Sequence, residues 1–129
     1  MSGALVLVAD DDDDILLLVT TRLRRDGFEV VAARDGDEAL ALARAQRPDV
    51  AVLDIGMPGL DGLEVLAQIR ADDGLRETRV LLLTAKAQES DVRRGYAVGA
   101  DAYVKKPFSP ADLSARVREL VDGTTEATV

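Results

Sequence analysis

The chain has 129 residues, 47% of them hydrophobic and 31% charged, which suits one domain with a buried core. It contains no Cys and no His, which removes disulfides, thiol nucleophiles, thiolate or imidazole metal sites and Ser-His-Asp hydrolases. A net charge of −8 opposes phosphate backbones, so no direct nucleic-acid binding is expected. No apolar stretch is long enough to span a membrane and no signal peptide opens the chain, so a cytoplasmic location is expected.

The apolar run Ala4 to Ala9 reads as a buried first strand, stopped by the acids Asp10 to Asp14. A helix from Asp13 to Asp26 follows, closed by Gly27. Leu16, Val19 and Leu23 form its core face, and Ile15, Leu17 and Leu18 exceed what one buried stripe needs. That surplus is either loose core packing or an outward docking or dimer surface. Phe28 to Ala33 is a second strand, Asp35-Gly36 a turn and Asp37 to Gln46 an Ala/Leu-rich helix broken by Pro48. Val50 to Leu53 is unbroken and β-rich, as in a strand buried on both faces, and it ends in Asp54, where a Gly/Pro-rich loop begins. Leu63, Val65, Leu66 and Ile69 give a third helix its apolar face, ended by Asp72-Asp73-Gly74. Arg79 to Thr84 is the most apolar strand, Glu89 to Val98 a fourth helix terminated by Gly99, and Ala102 to Lys105 a short last strand. In the last helix Ser109 suits the N-cap, Pro110 the first position and Asp112 the third position of a capping box.

Five alternations of strand and helix imply a doubly wound α/β domain, a five-stranded parallel sheet with helices on both faces. The strand order is not readable from spacing. The domain is assigned to residues 1–121, and residues 122–129 to a flexible tail or linker stub. In such sheets function sits at the carboxyl ends of the strands. Asp10, Asp11 and Asp54 end strands there and repel one another, so they call for a cation; all-oxygen ligands suit Mg²⁺ or Mn²⁺. Thr84 adds a hydroxyl and Lys106 an ammonium. Acids, a divalent cation, a hydroxyl and a positive charge make a phosphoryl-handling site. No Gly-x-x-x-x-Gly-Lys-Ser/Thr loop is present. Asp12 to Asp14 read as solvated charge and a helix cap, and Gly59 and Gly62 as backbone geometry.

The pieces Val-Leu-Val-Ala-Asp10-Asp11-Asp12, Leu53-Asp54-Ile-Gly-Met-Pro58-Gly59-Leu-Asp61-Gly62, Leu83-Thr84-Ala85-Lys86 and Gly99-Ala100-Asp101-Ala-Tyr103-Val-Lys-Lys106-Pro107-Phe108 fall in order at compatible spacing. Together they resemble the receiver domain of two-component response regulators, from about Leu5 to Val121. The resemblance implies a flavodoxin-like fold with strand order 2-1-3-4-5 and five helices. It implies that Asp54 accepts a phosphoryl group from a sensor histidine kinase or a histidine phosphotransfer protein. Asp11 and Asp54 then hold Mg²⁺ directly, Asp10 through water, and the Gly56 backbone carbonyl completes the ligands. Lys106 pairs with the phosphoryl oxygens, Thr84 donates to them, and Tyr103 turns inward in response. The Lys106-Pro107 bond is expected to be cis. Kinase docking is expected on the first helix, at Ile15 and Leu18, and at Pro107 and Phe108. The output surface is expected on the fourth helix, last strand and last helix, acting on an unknown output protein or domain, with the chain a monomer or a phosphorylation-dependent dimer.

Two positions depart from the family pattern. Gly56 lacks the side chain often found there, leaving a path for water, and Asp13 replaces a common Pro. Two other functions compete: a phosphate-independent adaptor, which the full set of Asp11, Asp54, Thr84 and Lys106 argues against, and an aspartyl-phosphate phosphatase. The latter resembles haloacid-dehalogenase enzymes, which need an acid two residues after the nucleophile, where this chain has Gly56. No turnover of external substrates is therefore expected.

Overall fold

The computed structural model describes residues 3–85 and 89–123, with backbone alone at 89–92 and 94. Lys86, and residues 124–129 of the expected tail, lie outside the described residues. The elements alternate as the apolar runs dictate: β1 (Leu5–Ala9), α1 (Asp13–Arg25), β2 (Glu29–Ala33), α2 (Gly36–Gln46), β3 (Val50–Asp54), α3 (Gly62–Ala71), β4 (Arg79–Thr84), α4 (Glu89–Val98), β5 (Ala102–Lys105) and α5 (Pro110–Asp122). A short 3₁₀ turn, Asp73–Leu75, separates α3 from β4. The strands form one sheet in the order β2-β1-β3-β4-β5, and all four neighbouring pairs are parallel.

Side chains alternate across the sheet and divide the core in two. Leu7, Ala9, Ala51, Leu53, Val80 and Leu82 face Ala39, Leu40 and Ala43 of α2 and Leu63, Leu66 and Ile69 of α3. Val6, Val8, Val50, Val52, Leu81 and Leu83 face Leu16, Val19 and Leu23 of α1 and Leu113, Val117 and Leu120 of α5. Full burial of a Val or Leu contributes about 1.5–3 kcal/mol. Every residue of β3 is buried, whereas the edge strand β2 is mostly half-buried or exposed, so the central strands dominate the packing.

Element ends follow their caps. Asp12 caps α1, its side chain accepting from the N–H groups of Asp14 and Ile15. The helix stops at Arg25, one residue early, because Asp26 leaves the helical conformation before Gly27 turns at φ 99°. Helix α2 starts one residue early, at Gly36, because Asp35 caps it. Only half of the box expected at α5 forms: Ser109 accepts from the Asp112 N–H. The reciprocal box is at α3, where Asp61 accepts from Glu64 N–H and Glu64 from Asp61 N–H. Such a cap stabilises by about 1 kcal/mol and fixes the end of the loop that starts at Asp54. Helix α5 extends through Asp122, one residue into the expected tail, and Gly123 caps it.

Candidate functional site

The strand register alone assembles the site. Ala9 lies opposite Leu53, so the next residues, Asp10 and Asp54, emerge side by side at the carboxyl edge. Asp54 lies opposite Leu83 and Thr84 opposite Lys105, which places Thr84 and Lys106 along the same edge. The ladder continues into the loops: Ile55 N–H donates to Leu83 carbonyl at 2.9 Å and Lys106 N–H to Thr84 carbonyl at 2.7 Å. Gly62 holds the returning loop close, since a Cβ there would sit 2.6 Å from the Asp54 carbonyl oxygen. Met57 is buried and anchors the loop to the core.

Carboxylate oxygens of Asp10, Asp11 and Asp54 lie within 4.8 Å of one another, with Asp10 and Asp54 buried and Asp11 exposed. Lys106 Nζ bridges two of them, 3.0 Å from Asp10 Oδ2 and 3.2 Å from Asp54 Oδ1. Burial pushes the Asp54 carboxyl above its ordinary range and the charge of Asp10 adds to this, while Lys106 and the Gly56 N–H act against it. Burial alone would lower Lys106, but its hydrogen bond to Asp10 and the charge of Asp54 outweigh it, and the ammonium is raised. Among the described residues, one cation thus faces three acids. Asp10 Oδ1 accepts from Asp12 N–H at 2.9 Å, and buried Oδ2 is met by the Lys106 ammonium. An all-oxygen donor set with excess negative charge fits a hard divalent cation.

The other expected residues fall as follows. Thr84 is buried at the end of β4. Tyr103 is half-buried on β5, packed on the core face of Leu82, its register partner. Gly56 borders Asp54: among the described residues, a Cβ there would meet only Asp54 Oδ2, at 3.8 Å. The Lys106–Pro107 bond is cis. Ile15, Leu18, Pro107 and Phe108 line one shallow groove beside Lys106. Of the surplus on α1, Leu17 is 66% and Leu18 49% exposed, while Ile15 packs partly on the core. Leu17 and Leu18 open onto an adjoining groove of about 420 Å³ that reaches Pro110. Asp13 pairs with Arg34 at 2.7 Å, across to the end of β2. The Asp61–Glu64 box was missed at the sequence level, although Asp-x-x-Glu before Val65 and Leu66 carries the signal.

A doubly wound parallel sheet with an acid cluster at its carboxyl edge defines a class of α/β domains with their site at the strand ends, and the comparisons narrow it. Residues 6–118 match the family model described as response regulator receiver domain, and the chain belongs to that family. It is 43% identical to the alkaline phosphatase synthesis transcriptional regulatory protein PhoP of Bacillus subtilis, over 90% of this chain and 48% of that one. It is also 43% identical to the DNA-binding response regulator MtrA of Mycolicibacterium smegmatis, over 88% of this chain and 48% of that one. The chain spans about half the length of these curated relatives. Among solved structures, the receiver domain of Francisella response regulator 1452 superposes with a TM-score of 0.87 at 37% identity, covering 94% of this chain and 98% of that one. Vibrio cholerae chemotaxis protein CheY4 gives 0.87 at 35% identity, covering 92% and 99%.

Proposed function

We propose that Asp54 accepts a phosphoryl group from the phosphohistidine of a sensor histidine kinase or histidine phosphotransfer protein, and that the new charge switches the surface of α4, β5 and α5 for a protein partner. The observation that carries this reading is one buried edge where Asp54 meets Asp10, Asp11 and, at 3.2 Å, the Lys106 ammonium. An Asp54 oxygen attacks phosphorus as the bond to the donor imidazole breaks, and the donor's own ring nitrogen leaves with the electron pair. Such transfer needs alignment and charge neutralisation more than a base, so a chain without His can accept it. Lys106 is held as an ammonium by Asp10 and Asp54 and meets the phosphoryl oxygens without changing its protonation. Asp10, Asp11, Asp54 and the Gly56 carbonyl would hold Mg²⁺ or Mn²⁺, whose charge, when bound, keeps Asp54 ionised and offsets the phosphoryl oxygens. Thr84 donates its hydroxyl to the phosphoryl group, and Tyr103 follows its displacement.

The receiver unit is placed at residues 1–121, in the cytoplasm, as a monomer or a phosphorylation-dependent dimer, with no direct nucleic-acid contact of its own. No helix among the described residues is long and apolar enough to cross a membrane. Ile15, Leu18, Pro107 and Phe108 are the proposed kinase contacts, and their shared groove beside Lys106 supports that placement. Turnover of external substrates is not part of this reading, because Gly56 offers no acid two residues after Asp54. Incubation with acetyl phosphate and Mg²⁺ should add one phosphoryl mass to the wild type and none to Asp54→Asn. Incorporation that survives Asp54→Asn would assign the acceptor elsewhere and end the proposal.

A further inference from the structure

Helix α4 carries one glycine, Gly95, and a second, Gly99, follows its end; a different side chain lies against each. At Gly95 an added Cβ would sit 2.8 Å from Tyr103 Cε2 and 2.8 Å from Leu82 Cδ1. At Gly99, where φ is 122°, it would sit 2.9 Å from Arg70 Nε. Arg70 reaches from α3 and grips the end of α4: its Nε and Nη2 donate to the Gly99 carbonyl at 3.0 and 2.9 Å. The same guanidinium donates to the Thr78 carbonyl at 2.6 Å and pairs with Asp101 at 2.8 Å, so the end of α4 is tied to the starts of β4 and β5. The Tyr96 ring, exposed on α4, lies tilted against Tyr103 with centroids 5.8 Å apart.

We propose that Gly95 is a positioning residue that sets how far Tyr103 can turn toward the sheet, and that Arg70 holds α4 at the distance that makes a single methyl decisive. Protein interiors leave little slack, so a Cβ at 2.8 Å must displace something. The helix cannot back away while Arg70 holds Gly99, four residues on. The Tyr103 ring, at the solvent side of the contact, is the part that moves. That the phosphoryl signal then reaches α4 through Tyr103 rests on the function proposed above.

Tyr96 and Tyr103 are the only tyrosines in the chain and there is no Trp, so the pair can be read without background. The full chain labelled with 3-fluorotyrosine should give two ¹⁹F resonances, assigned by Tyr96→Phe. Gly95→Ala should move the Tyr103 resonance to a solvent-exposed position before any activation and abolish its shift on addition of beryllofluoride with Mg²⁺. Phosphoryl incorporation from acetyl phosphate should stay within about twofold of wild type, since the neighbours of Gly95 are Leu82, Tyr103 and Leu63 and not Asp54, its acids or Lys106. Adding Arg70→Met, which keeps the aliphatic stem but frees Gly99, should restore the shift to Gly95→Ala. In Gly95→Ala with Leu82→Val the sheet side of the contact is relieved, and the same displacement of Tyr103 should persist in a well-packed fold. A wild-type Tyr103 resonance in both Gly95→Ala backgrounds would overturn the proposal, as would a lost shift that Arg70→Met does not restore. Failure of wild type to take up a phosphoryl group would instead refute the acceptor reading and leave the resting-state displacement to be judged by itself.

Discussion

The two ends of the sheet solve the same problem differently. At the carboxyl edge the Lys106 ammonium lies 3.0 and 3.2 Å from two aspartates, with Asp11 close by and no other ion pair to these three acids among the described residues. At the other end Arg70 faces one main acid, Asp101, and spends its remaining donors on the carbonyls of Gly99, Thr78 and Arg76. Asp101 is matched in turn, accepting the Val80 N–H at 2.8 Å. Satisfied charge specifies a packing, while unsatisfied charge leaves room for a ligand. The first end is a site and the second a clamp, although both are built from long cations and aspartate.

The sharpest test of that contrast is the response to metal. Wild type should gain about 1.4 kcal/mol of unfolding free energy for each tenfold rise of free Mg²⁺ above its Kd, and Asp54→Asn should gain almost none. Urea unfolding at several Mg²⁺ concentrations measures both. With a chelator present the order should reverse. Burial and Asp10 raise the folded-state pKa of Asp54 above its unfolded value, so the native state binds the extra proton between the two. The contribution of Asp54 to stability is therefore fullest below the unfolded pKa and is lost as pH rises through the folded one. Metal-free wild type should fall behind Asp54→Asn across that window and run parallel to it above. Parallel curves throughout would mean that the acid edge is as satisfied as the clamp. At the other end Arg70→Met should cost roughly 2–4 kcal/mol at any Mg²⁺ concentration, because it removes the closer of the two ion pairs to Asp101 and a donor from the carbonyls of Gly99 and Thr78. A cost that depended on Mg²⁺ would erase the distinction. The smallest effect is expected at Gly56, whose missing side chain leaves the approach to Asp54 Oδ2 open. Phosphate release from phosphorylated protein should slow severalfold in Gly56→Asn, and equal or faster release would show that the gap carries no water.

Much of this was legible beforehand, for reasons that can be named. β1, β3 and β4 are unbroken apolar runs because both their faces are covered, and each ends where the apolar run stops at Asp10, Asp54 or Thr84. Their order across the sheet came from the resemblance and not from spacing, because helical crossovers of similar length can join strands in several orders. The acids of the site were visible as residue types. The complete burial of Asp10 and its direct contact with Lys106 were not, since how far each aspartate of the run sits from solvent is set by the strand register. Arg70 and Asp101 lie 31 residues apart and meet through tertiary packing alone. The same holds for Gly95, which reads as an ordinary weak spot in a helix until Tyr103 is seen against it.

The two-sided core has a further bearing. Leu23 and Leu66 lie in separate hydrophobic layers, divided by the backbone of a sheet whose hydrogen bonds leave little room for deformation. A lineage can therefore remodel the interior beneath α1 and α5 without retuning the layer beneath α2 and α3. The carboxyl edge belongs to neither layer and is held in place by strand pairing. Such a scaffold can change its associates on one flank while the chemistry of its rim stays in register.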